Sequence, residues 1–144
     1  MVRSLGSDQN QFTDEREGEQ AMTAPISVAV VEDDPRIQLL ISEEITDEGH
    51  DCKIFGTAEE FLDTLEQEQF QLLLLDLMLP GIDGITCLKR LKECKSKHSG
   101  LRVVIVTALN DPEKRSEALA NGAEDYIIKP DLFEQLPLLL SSLD

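Results

Sequence analysis

The feature that most constrains this chain is an alternation of two textures. Five short apolar runs, at residues 26–31, 52–55, 72–75, 103–106 and 126–128, are separated by segments whose apolar residues recur at helical spacing. A run such as the four leucines 72–75 has no polar side chain to turn toward water, so as a strand it must be buried on both faces. Between the runs, Ile37, Leu40, Ile41 and Ile45 share one helical face. Ala58, Phe61, Leu62 and Leu65 share another, and Cys87, Leu88, Leu91 and Cys94 a third. Five strand–helix units in series predict an α/β fold: a doubly wound five-stranded parallel sheet with helices on both faces.

The helix ends are marked. Asp34-Pro35 and Asp111-Pro112 each pair an N-cap carboxylate with a proline at the first helical position. Thr57 with Glu60 fits a capping box, and Gly49 and Asn121-Gly122 stand where left-handed stops belong. The last segment, 132–143, is expected to be a helix that Pro137 starts, kinks or shortens. The 144 residues suffice for one domain. It is expected over 25–144, behind a disordered leader at 1–24 that holds five acids against Arg3 and Arg16. Met22 reads as a natural start, with the residues before it an added leader or an upstream start.

Charge narrows the partners. Asp and Glu number 29 against 13 Lys and Arg, a formal net charge of −16. Such a chain repels phosphate backbones and anionic lipid, which argues against direct binding of nucleic acid or membrane. No apolar run approaches the roughly 20 residues that a bilayer demands, and the first 20 residues lack the apolar core of a secretory signal. Cys52, Cys87 and Cys94 form no CxxC and are expected to act as small core hydrophobes in a reduced, cytoplasmic setting. His50 and His98 are expected at the surface of loops.

The reactive residues fall at strand ends. Glu32, Asp33 and Asp34 follow the first run, Asp76 the third, Thr107 the fourth and Lys129 the fifth. In an open parallel sheet the strand C-termini share one edge, where ligands bind. Glu32, Asp33 and Asp76 offer hard oxygens suited to Mg²⁺ or Mn²⁺. Three packed carboxylates repel one another without a cation. Lys129 and the Thr107 hydroxyl could hold phosphoryl oxygens, and a carboxylate can act as nucleophile on phosphorus. Asp34, before Pro35, is assigned to capping rather than to metal.

Four motifs in order, VVEDDP (30–35), LLLLDLMLPGIDG (72–84), VIVTA (104–108) and YIIKP (126–130), resemble the receiver domain of two-component response regulators. The resemblance implies the flavodoxin-like strand order 2-1-3-4-5, which spacing alone does not supply. It implies that Asp76 is the phosphoacceptor. The metal set is then Asp33, Glu32 acting mostly through water, Asp76, and the backbone carbonyl of Met78. Thr107 and Lys129 hold the phosphoryl group, and Tyr126 is the aromatic switch whose ring turns inward when Thr107 moves. The Lys129-Pro130 bond is commonly cis in such proteins. The donor is a histidine kinase or a phosphotransfer protein, and the output a downstream protein target or a missing output domain. The domain is no conventional enzyme: it catalyses only its own phosphorylation and dephosphorylation.

Met78 and Leu109 are apolar where the family tunes dephosphorylation. A phosphatase of the haloacid dehalogenase class would need a second Asp where Met78 stands. The other alternative is a phosphorylation-independent, receiver-like interaction module. The leucines of the last helix exceed what one face buries and are expected to leave an apolar patch. The expected state is a monomer or weak dimer.

Overall fold

The computed structural model describes residues 24–94 and 100–142. Five parallel strands, β1 (Ser27–Val31), β2 (Asp51–Phe55), β3 (Leu72–Leu75), β4 (Arg102–Thr107) and β5 (Asp125–Ile128), stand in the order β2-β1-β3-β4-β5. Five helices connect and follow them: α1 (Pro35–Asp47), α2 (Ala58–Thr64), α3 (Gly84–Glu93), α4 (Pro112–Ala120) and α5 (Leu132–Ser141). The doubly wound sheet and its 2-1-3-4-5 order therefore stand as expected. The expected leader lies outside the described residues except for Ala24.

Burial follows from the pleat. Val28, Val30, Leu72, Leu74, Val104, Val106 and Ile127 pack against α1 and α5. Ala29, Val31, Leu73, Leu75, Val103 and Ile105 pack against α2, α3 and α4. The central β3 is buried at every position, whereas the edge strand β2 exposes Asp51 and Lys53. Charged side chains on an edge discourage pairing with other chains.

The caps form as expected. Asp34 Oδ1 accepts the Arg36 amide at 2.9 Å, and Asp111 Oδ1 accepts those of Glu113 and Lys114. Thr57 Oγ1 accepts the Glu60 amide at 3.2 Å, while the Glu60 carboxylate reaches back to Gly56 N–H. Gly49 and Gly122 stop their helices at φ of 89° and 109°.

Several expectations are corrected. Leu40 is 46% exposed, because it lies one step round the helix from the buried Ile41–Ile45 line. His50 is buried: its Nδ1 accepts the Ile26 amide at 3.1 Å, satisfying a donor at the point where the chain enters β1. His98 lies outside the described residues. Cys94 caps the exposed end of α3 and joins no core. Cys87 is buried and Cys52 half-buried, and burial pushes their thiols up to about 12 and about 11.

The Lys129-Pro130 peptide is trans. Lys129–Asp131 form a 3₁₀ turn leading into α5, with Pro130 in its first turn, where the fixed φ of proline fits and its missing N–H is not needed. Pro137 sits inside α5 and ends nothing, since Leu132, Leu136 and Leu140, four residues apart, pin the helix to the sheet on both sides of it. Phe133 and Leu138 remain exposed, but a spacing of five residues sets them on different flanks of α5 rather than in one patch.

Candidate functional site

The pocket is assembled by strand register. Val31 pairs with Leu75, Leu75 with Ile105, and Thr107 with Ile128, so Glu32, Asp76, Thr107 and Lys129 emerge at one edge of the sheet. Backbone bonds extend the ladder into the site: Asp76 N–H donates to Val31 O at 3.1 Å, and Glu32 N–H to Phe55 O at 3.0 Å. Glu32, Asp76 and Thr107 are buried, while Asp33 is exposed at the rim.

Lys129 joins the two buried carboxylates. Its Nζ lies 2.9 Å from Glu32 Oε1 and 3.0 Å from Asp76 Oδ2. Burial alone would pull its ammonium down, but the hydrogen bonds to Glu32 and Asp76 outweigh this and hold it above the usual lysine range. Burial pushes the Glu32 carboxyl up, against the opposing pull of the Asp34 N–H and Lys129. Glu32 Oε2 accepts that Asp34 amide at 2.9 Å, and Asp76 Oδ1 accepts the Met78 amide at 3.1 Å. Each carboxylate thus has one oxygen on a backbone N–H and the other on Lys129.

One carboxylate oxygen from each of Glu32, Asp33 and Asp76 lies within 4.8 Å of the others. An all-oxygen set of this kind fits a hard divalent cation. Met78 stands beside it, its side chain turned to solvent.

At the far side, Thr107 Oγ1 accepts the Leu109 amide at 3.3 Å. The Leu109 carbonyl in turn accepts the Tyr126 hydroxyl. The Tyr126 ring is inward and buried. The site residues named from sequence therefore share one edge, with Tyr126 a shell away.

Three contributors were not named from sequence. Gln38, one turn into α1, donates from Nε2 to Glu32 O at 2.6 Å. Gly84 opens α3 where a Cβ would clash with the Asp76 carbonyl and come within 2.7 Å of Leu77 Cα, so only glycine lets α3 approach the strand end. Glu59 on α2 accepts the Ile82 amide at 3.2 Å and steadies the loop between β3 and α3. The fixed distance from Asp76 to the glycine of PGIDG was a usable clue to Gly84. Nothing local marked the other two.

The family model for the response regulator receiver domain matches residues 28–140. The chain belongs to this family. The receiver is 39% identical over 114 residues to the DNA-binding transcriptional regulator NtrC of Proteus hauseri, which covers 78% of this chain and 24% of that protein. It spans less than half the length of the curated relatives it matches. Among solved structures it is similar to the BeF3-activated DrrB receiver domain, with 30% identity, a TM-score of 0.68, and coverage of 82% of this chain and 99% of that one. The response regulator TrrA of Thermotoga maritima, in complex with Mg²⁺-BeF, is 25% identical with a TM-score of 0.71, covering 83% and 99%. Among the described residues no helix of the receiver is long and apolar enough to cross a membrane.

Proposed function

We propose that the receiver accepts a phosphoryl group on Asp76 from the phosphohistidine of a histidine kinase or phosphotransfer protein, with Mg²⁺ or Mn²⁺ as cofactor. The observation that carries this is Lys129, held between Glu32 and Asp76 by two short ion pairs. An Asp76 carboxylate oxygen attacks phosphorus. The P–O bond forms as the P–N bond breaks, and the electron pair returns to the imidazole nitrogen, which takes a proton. Lys129 moves its ammonium from Asp76 to a phosphoryl oxygen, and the Thr107 hydroxyl donates to another. Asp33, Asp76 and the Met78 carbonyl would hold the cation, with Glu32 acting mostly through water, and when bound it would supply positive charge to offset the carboxylates and the phosphoryl group. Hydrolysis of the acyl phosphate at the same site returns the carboxylate. The domain thus catalyses only its own phosphorylation and dephosphorylation.

The consequence is a change of interaction surface. The Tyr126 ring is already inward in the unmodified chain, so the expected inward turn is not the response. When Thr107 turns toward the phosphoryl group, the Leu109 segment that holds the Tyr126 hydroxyl shifts with it, and the altered face meets a downstream protein or an output domain. The strong negative charge keeps this domain off nucleic acid and membrane directly, and we place it in the cytoplasm as a monomer or weak dimer. A phosphorylation-independent module is not favoured, because Glu32, Asp33, Asp76, Thr107 and Lys129, which such a module could lose, are all present.

Acetyl phosphate with Mg²⁺ is expected to add one phosphoryl mass to the protein. Asp76→Asn is expected to abolish the adduct. The same adduct on the Asn variant overturns the assignment of Asp76.

A further inference from the structure

Tyr126 is tied down at two points on either side of one loop. Before the loop's turn, its hydroxyl donates to the Leu109 carbonyl. Beyond the turn, the Arg115 guanidinium carbon lies 6.0 Å from the centre of its ring. Arg115 is placed there by the Asp111 cap: Asp111 holds the first turn of α4, and the Arg115 amide donates to Asp111 O at 2.9 Å. Among the described residues no carboxylate forms an ion pair with Arg115, so its charge is directed at the ring rather than consumed elsewhere. A guanidinium at this distance from an aromatic face is attracted by the ring quadrupole. For the ring to leave the core it must break both ties together.

We propose that Arg115 is a positioning residue that stabilises the inward Tyr126 and so sets the balance between its inward and outward positions. The proposal rests on the assignment of Tyr126 as the switch. It extends the chain Thr107–Leu109–Tyr126 by one link, onto α4. An exposed cation–π contact corresponds to about a two- to five-fold change in that balance.

The composition provides the probe. The chain has one tyrosine and no tryptophan, so tyrosine emission reports Tyr126 alone. The experiment measures acrylamide quenching of that emission in the full, unphosphorylated chain. A neutral quencher is needed because the variants change local charge. Arg115→Gln, which keeps length and helix propensity, is expected to raise the quenchable fraction about two- to five-fold. Arg115→Lys, which keeps the cation, is expected to restore most of the parent behaviour. Quenching of Arg115→Gln equal to the parent overturns the proposal, as does an Arg115→Lys variant as quenchable as Arg115→Gln. The acceptor is read separately, by the phosphoryl mass on the parent chain and its loss in Asp76→Asn, neither of which involves Arg115. A failure here is therefore separable from a failure of Asp76 as acceptor.

Discussion

Replacing Lys129 by Met keeps an apolar stem and deletes the ammonium between Glu32 and Asp76, whose side chains are only 2% and 3% exposed. Removing one partner of a buried ion pair costs about 3–5 kcal/mol when the remaining charge stays ionised. Glu32 has a cheaper route. Burial already pushes its carboxyl above the ordinary 4.5, and in the variant it takes up a proton. Protonation above the unfolded-state value costs about 1.4 kcal/mol per pH unit. From that ordinary value the cost is about 3.4 kcal/mol at pH 7 and about 0.7 kcal/mol at pH 5. The sign follows from the raised folded-state value: the stability conferred by the proton on Glu32 is full below its unfolded value and is lost as pH rises through the folded one. Lys129→Met is therefore expected to lose about 3 kcal/mol at pH 7, roughly 10 °C in melting temperature, and under about 1 kcal/mol at pH 5. Urea unfolding in metal-free buffer at both pH values measures this. Adding Asp76→Asn to Lys129→Met removes the second buried charge and is expected to recover part of the loss, which a double-mutant cycle measures. Equal losses at pH 5 and pH 7, or a loss below about 1 kcal/mol at pH 7, refute neutralisation of buried carboxylates by Lys129.

Gly84→Ala is expected to cost about 1–3 kcal/mol, because its Cβ meets backbone atoms that cannot yield. It also displaces the Asp76 carbonyl, so urea unfolding and the rate of adduct formation from acetyl phosphate should both suffer. Asp111→Ala is expected to cost about 1 kcal/mol by uncapping α4, with faster amide exchange at Glu113 and Lys114. His50→Ala leaves the Ile26 amide without its acceptor, and the expected loss of about 1 kcal/mol comes with faster exchange at Ile26.

The sequence by itself determined the elements, their caps and the edge at which the chemistry gathers. Leu72–Leu75 reads as a central strand because a tetrapeptide without a polar residue has no solvent face, and Asp34 and Asp111 read as caps because a cap acts within three residues. These are short-range properties, and a parallel sheet carries its strand ends to one side whatever the details. Tertiary structure decided what depends on contacts across long stretches of chain. Lys129 reaches Asp76 over 53 positions because β3, β4 and β5 pair in one register, which periodicity does not encode. His50 turns inward because the Ile26 amide, 24 positions away, needs an acceptor there. Pro137 stays helical because three leucines on its own helix find the sheet. Arg115 is ordinary in the chain, and Gly84 is marked only by its spacing from Asp76. They acquire roles only where α3 is pressed against the end of β3 and α4 is laid over Tyr126, since close approach is a property of two elements and not of either one.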